Sequence, residues 1–171
     1  DFNPGFRFRL LVTNDFRPWT QPLARNKLAL IAEGEYLFMT DIDHILTEEA
    51  LKYCLHFTGD KVVFRRLAGF LDEDCKIVID NSVHRLEALR KLINFNTFLI
   101  KKTIFNDLLK GYSENTAGNY STDTRDICTR YMKLFLDKKV KAEGLANPFI
   151  YSYKDPENNP TLFHSLKRNK E

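Results

Sequence analysis

Residues 24–44 read Ala24-Arg25-Asn26-Lys27-Leu28-Ala29-Leu30-Ile31-Ala32-Glu33-Gly34-Glu35-Tyr36-Leu37-Phe38-Met39-Thr40-Asp41-Ile42-Asp43-His44. The first half has the spacing of a helix over 23–33, with Leu23, Leu30 and Ile31 able to share a face and Gly34 placed to end it. The second half, 35–40, is a short and nearly unbroken apolar run. A run of that length after a helix suits a buried central strand. It stops at two aspartates one residue apart. Helix, strand, acidic turn is the rhythm of an α/β fold, and in open α/β sheets ligands sit at the carboxyl ends of strands. Asp41 and Asp43 lie at such an end.

Working outward, residues 6–13 alternate Phe8, Leu10 and Val12 with Arg7 and Arg9, the pattern of a strand. Residues 14–22, punctuated by Pro18 and Pro22, read as a loop. Thr47 precedes Glu48 and Glu49, an N-cap followed by acids in the first turn, so a helix is expected to about His56. A strand follows at 61–66, and residues 70–79 read as a turn followed by another strand. Residues 83–93 read as a helix, 97–101 as a short strand, 103–109 as a helix, and 110–122 as a polar loop. Ile127, Tyr131, Leu134 and Phe135 keep helical spacing over 127–136. Late strands are expected at 140–143 and 149–153, then a turn-rich loop at 155–160. The whole is read as one domain, 1–171, with a basic tail from about 161.

Of the 171 residues 43% are hydrophobic and 29% charged, enough apolar matter for a core. The net charge, 26 basic against 23 acidic side chains, is +3, too mild to argue for nucleic acid. The three cysteines, Cys54, Cys75 and Cys128, have no metal-ligand spacing. They read as reduced thiols, which points to a cytoplasmic protein. No apolar run is long enough to cross a bilayer.

Carboxylate oxygens at a strand end suit a hard cation, Mg²⁺ or Mn²⁺, that keeps positions open for phosphate. The competing reading of Asp41 and Asp43 is a turn with two solvated acids. The segment 24–43 resembles the nucleotide-sugar glycosyltransferases of family 2 and their GT-A relatives. Those enzymes show Ala-Arg-Asn at the start of a helix, Ala-x-Gly-Glu-Tyr at its end, and an acidic strand end, here a DXD motif. Asn96 to Lys102, Phe105 and Gly111-Tyr112-Ser113-Glu114 are similar to the family's segment before the acceptor site. Asp123-Thr124-Arg125-Asp126 and Arg130 stand where the family carries its second acidic motif. The likeness runs from about Phe8 to Arg168.

The resemblance implies a GT-A fold, a Rossmann-like mixed sheet flanked by helices. It implies a metal-dependent glycosyltransferase that moves a hexosyl or related group from a nucleotide-diphosphate sugar, a UDP-sugar, to a hydroxyl acceptor such as a glycan. Asp43 is then the main metal ligand, with Asp41 on the metal or the donor's ribose. His164 is the family-like late third ligand of Mn²⁺ or Mg²⁺. Arg25, Asn26, Asp41, Lys167 and Arg168 fall on the donor side, and Glu114 and Asp126 on the acceptor side. His44 is given a packing or supporting role, and Trp19 that of a loop anchor.

Two departures qualify the likeness. The strand-helix-strand unit with which the family begins has no clear copy, so a fragment, a processed product or a minimal member is expected. Thr124 stands where the second acid of the family often serves as base, and a hydroxyl accepts no proton near neutral pH. Either Asp123 serves instead or catalysis is impaired. The alternative function is a non-catalytic sugar- or partner-binding domain on a degenerate GT-A scaffold. A nuclease or phosphatase would use the same acids, but the chain has no Gly-rich phosphate loop.

Overall fold

The computed structural model describes residues 7–17, 20–42, 44–71, 74, 76–79, 95–117 and 123–153. The helix read at 83–93, the loop at 155–160 and the basic tail lie outside them, as do Trp19 and Cys75.

Helix α1 spans Gln21–Ile31, with Pro22 in its first turn, where the missing N–H costs nothing. It ends earlier than expected. Ala32 is already extended and its N–H closes on the Leu28 carbonyl, so Gly34 lies beyond the helix. Strand β1 (Tyr36–Met39) and strand β2 (His44–Leu46) flank the acidic turn. Helix α2 (Glu48–His56) starts as read, with the Thr47 hydroxyl accepting from the Ala50 N–H. Then come β3 (Lys61–Leu71), β4 (Ile77–Ile79) and β5 (Phe98–Lys101). A π-helical turn (Ile104–Leu108) takes the place of an ordinary helix, and a 3₁₀ turn covers Glu114–Thr116. Helix α3 (Asp123–Leu136) and strand β6 (Ala142–Tyr153) complete the described chain.

The strands form one small mixed sheet in the order β1-β5-β3-β6-β2, with β4 paired to β3. Among the described pairs, β3 and β6 run parallel and the rest antiparallel. Two expectations change here. Strand β1 is not central: its only described partner is β5. Residues 7–13 are not in a strand, because a strand exists only through bonds to a neighbour and none of the described strands pairs with them. The two late strands are halves of β6, which slips its register opposite Phe64 and Arg65. There Leu145 and Phe149 take consecutive partners and residues 146–148 are passed over. Pro148 has no N–H to give a ladder, so an irregularity there is inexpensive.

Alternation sorts the side chains into two cores. Leu37, Met39, Val63, Phe98 and Ile100 point to one face, against Ala29 of α1, the π-turn's Ile104 and Phe105, and Ile127 and Tyr131 of α3. Val62, Phe64 and Leu99 point to the other, against Ala50 and Phe57 at α2, with Tyr36 and Phe38 beside them. The result is a mixed sheet flanked by helices on both faces. Each large side chain buried in it contributes about 1.5–3 kcal/mol.

Candidate functional site

The chain leaves β1 at Thr40 and turns at once: the His44 N–H donates to the Asp41 carbonyl at 3.2 Å. Ile42 at the tip is fully exposed. The His44 ring bonds the Thr97 hydroxyl, which ties the turn to the start of β5 and agrees with a supporting role. Asp41 is half-buried. Its Oδ1 accepts from Arg25 Nη2 at 2.8 Å and from Gln21 Nε2 at 2.9 Å. Among the described residues no side chain bonds its Oδ2.

Arg25 reaches Asp41 from one turn inside α1. It was expected at a diphosphate, but it faces inward and is 7% exposed. Its Nη1 donates to the Phe95 carbonyl and the Tyr112 hydroxyl, both at 2.9 Å. Its Nη2 also donates to the Asn96 carbonyl at 2.9 Å, with the Thr40 carbonyl at 3.5 Å. The Tyr112 hydroxyl in turn donates to the Phe95 carbonyl at 2.7 Å. A guanidinium offers a planar fork of donors, and here the acceptors come from three chain segments. Arg25 is a positioning residue: it sets where β1 ends relative to 95–96 and Tyr112.

Asn26, the next residue, does the same for the loop after the π-turn. Its Oδ1 accepts from the Tyr112 N–H at 2.8 Å, and its Nδ2 donates to the Tyr112 carbonyl at 2.9 Å. The amide thus imitates a strand neighbour. Nδ2 also meets Glu114 Oε1 at 3.1 Å, leaving the exposed carboxylate held at the surface. Gly111 lets this approach happen. Its φ is +68°, and a Cβ there would stand 2.5 Å from Asn26 Oδ1. From behind, Arg130 bonds the carbonyls of Leu109 and Gly111 (2.8 Å to the latter) while pairing with Asp126 at 2.7 Å on its own helix. Asp126 therefore anchors Arg130 where an acceptor-side contact was expected.

Arg17 adds a smaller brace. It chelates Asp15, driving that carboxyl down to about 2 through hydrogen bonds, and touches the Ala117 carbonyl at 3.4 Å.

Of the residues singled out in the sequence, Arg25, Asn26, Asp41 and Glu114 come together. Asp126 joins them at one remove. Asp123 is the first residue of α3. Its side chain lies outside the description, as do Asp43, His164, Lys167 and Arg168. Among the described residues no three metal-ligating side chains cluster. Gln21 and Tyr112 were not read as working residues. Only their adjacency to the Arg-Asn pair and to Gly111 hinted at them. Cys54 and Cys128 are in no disulfide with one another, and burial raises the Cys54 thiol to about 11, so little reactive thiolate forms near neutral pH. No described helix is long and apolar enough to cross a membrane.

Searches of protein-family models, curated proteins and solved structures return no match to this chain.

Proposed function

We propose that this chain is the catalytic part of a metal-dependent glycosyltransferase of the GT-A type, moving a sugar from a nucleotide-diphosphate donor to a hydroxyl acceptor. One observation carries the reading. Arg25, Asn26, Asp41, Tyr112 and Glu114 are joined, around the carboxyl end of β1, by hydrogen bonds that span up to 88 positions. These are the segments on which the sequence resemblance rests, and a likeness made of unrelated fragments would have no reason to converge.

The donor set suits a hard cation in part. Asp41 presents a carboxylate oxygen that no described side chain takes, with Asp43 two residues on, and the bound ion would neutralise the departing diphosphate. The chain's own groups do the rest. Arg25 and Gln21 fix the orientation of the Asp41 carboxylate by occupying one oxygen. Asn26 and Gly111 hold the loop that carries Glu114, which in this reading accepts a hydrogen bond from an acceptor's hydroxyl. Asp123 is the candidate group to take the proton of the attacking hydroxyl, provided it comes within hydrogen-bond reach. Holding donor and acceptor in line supplies much of the acceleration.

The test is a single-turnover assay with Mn²⁺ and a panel of labelled nucleotide sugars. Transfer or slow donor hydrolysis is expected, and Asp123→Asn should cut turnover while sparing donor binding. Asp43→Ala should abolish Mn²⁺-dependent nucleotide binding. Intact metal binding with neither hydrolysis nor transfer would favour a non-catalytic sugar-binding domain, the reading to which Thr124 beside Asp123 points.

A further inference from the structure

A turn selects among hard cations by the number of oxygens it can still give. Ca²⁺ takes about six to eight oxygens, often both oxygens of one carboxylate and main-chain carbonyls besides. Mg²⁺ keeps several waters and is content with single carboxylate oxygens and substrate phosphate. Mn²⁺ accepts the same octahedral set of oxygens.

Most of the oxygens at the turn after β1 are already engaged. Asp41 Oδ1 accepts from Arg25 Nη2 at 2.8 Å and from Gln21 Nε2 at 2.9 Å, which uses both of its lone pairs. The Asp41 carbonyl also accepts twice, from the His44 N–H and from the Thr40 hydroxyl, each at 3.2 Å. The Thr40 carbonyl lies 3.5 Å from Arg25 Nη2. These donors differ in how readily they can leave. Arg25 is buried and answers the carbonyls of Phe95 and Asn96 and the Tyr112 hydroxyl, so it cannot follow the carboxylate without leaving them short. Gln21, half-buried, is the first residue of α1, and among the described residues its side chain bonds Asp41 alone. Thr40 is exposed and adjoins the oxygen that it covers.

The fixed guanidinium therefore aims the carboxylate, while Gln21 and Thr40 fill lone pairs that a larger ion would recruit. Ligation through both Asp41 carboxylate oxygens requires a donor to leave Oδ1. Ligation through the Asp41 carbonyl requires the Thr40 hydroxyl or the His44 N–H to leave. Each departure costs a hydrogen bond that a smaller, water-carrying ion leaves intact. We propose that Gln21 and Thr40 are specificity-determining residues of the cation site, a role that rests on the metal-dependent reading of this turn: they limit Asp41 to single-oxygen ligation, which suits Mg²⁺ or Mn²⁺ and disfavours Ca²⁺.

The test is cation binding to the 171-residue chain, with no turnover measured. Mn²⁺ is followed by the loss of its free-ion electron paramagnetic resonance signal, and Ca²⁺ by its displacement of Mn²⁺. The unaltered chain should hold Mn²⁺ the more tightly. Gln21→Met keeps the length of the side chain and removes the donor, and it should move the Mn²⁺-to-Ca²⁺ affinity ratio toward Ca²⁺ by on the order of 10-fold. Thr40→Val should move the ratio the same way by about 3-fold, because a neutral carbonyl attracts a cation less than a carboxylate oxygen does. Asp41→Asn locates the ion and should weaken Mn²⁺ by about 10-fold or more. A merely structural side chain would weaken both ions alike, so a ratio that stays unchanged in either variant overturns the role given to that residue. An unaltered chain that binds Ca²⁺ as tightly as Mn²⁺ overturns the proposal and leaves the sugar-transfer reading standing. A chain that binds neither ion, or Mn²⁺ binding indifferent to Asp41→Asn, overturns both.

Discussion

Among the described residues two cations are buried, and they share a neighbour. Arg25 donates to the Phe95 carbonyl, and Lys61 places its ammonium 4.2 Å from the centre of the Phe95 ring. Around Arg25 the answering groups are oxygens with fixed directions: three main-chain carbonyls, a hydroxyl and a carboxylate. Lys61 also lies over the rings of Tyr131 at 4.8 Å and Phe98 at 5.5 Å. Ring faces accept a cation from many angles, whereas carbonyls accept a guanidinium from few. The first cation therefore specifies where loops stand. The second lies over rings that come from β5, Phe95 and α3. A buried charge answered by directed oxygens orients the segments that carry them.

The largest break in this comparison should come from Arg25→Met. It leaves the carbonyls of Phe95 and Asn96 and the Tyr112 hydroxyl short of a donor, and Asp41 without its cation. Such losses typically cost about 3–5 kcal/mol. Urea denaturation should show it, and a loss under about 1 kcal/mol would mean that the hub does not hold the three segments. Arg25→Lys keeps the charge but loses the fork, and an intermediate loss is expected.

Gly111→Ala comes next. The positive φ and the clash with Asn26 act together, and Asn26 cannot swing aside without releasing Tyr112, so about 2–3 kcal/mol is expected. Asn26→Ala should cost less, about 1–2 kcal/mol, because the loop keeps its Arg130 clamp. If Asn26→Ala proves the costlier of the two, backbone strain at Gly111 is not the reason for glycine there. Amide exchange at Tyr112, whose N–H loses its acceptor, reports the loosening directly.

Much of the fold was legible because local signals and tertiary packing agreed. Thr47 with Glu48 and Glu49 announced α2, and the helical spacing of Ile127 and Tyr131 is the buried face of α3. What failed was long-range. An apolar run such as Tyr36–Met39 looks the same in the middle of a sheet and at its edge, and only the pairing decides. Residues 61–66 read as a strand, but β3 runs on to Leu71 because β6 and β4 pair with it there. The π-turn was read as a helix, since nothing local distinguishes a Leu109 N–H that reaches back five residues to Ile104. For the site, sequence supplied identities but not directions. Arg25 and Asn26 were read toward a ligand, and both turn toward the protein, because their partners at 95–96 and 112–114 lie far along the chain.

The smallest effect should have the opposite sign, and it tests the other cation. Lys61 is fully buried, and burial lowers its ammonium from an ordinary value of 10.5 to about 7, while the field of Cys128 pulls the other way. Between those two values the unfolded chain holds a proton that the folded chain releases. Stability should therefore rise with pH from about 7 toward 10, and below about 7 the full cost of burying the charged form is present. The three rings return part of that cost, because a cation over an aromatic face is attracted to it. Lys61→Met removes the titration and leaves a thioether that packs well against rings. The variant should gain about 1–2 kcal/mol at pH 7, as apolar replacements of buried charges often do, and its denaturation midpoint should lose the rise between pH 7 and 10. A variant that loses stability with the pH slope unchanged would show that the slope does not arise from Lys61 and that its ammonium stabilises the fold.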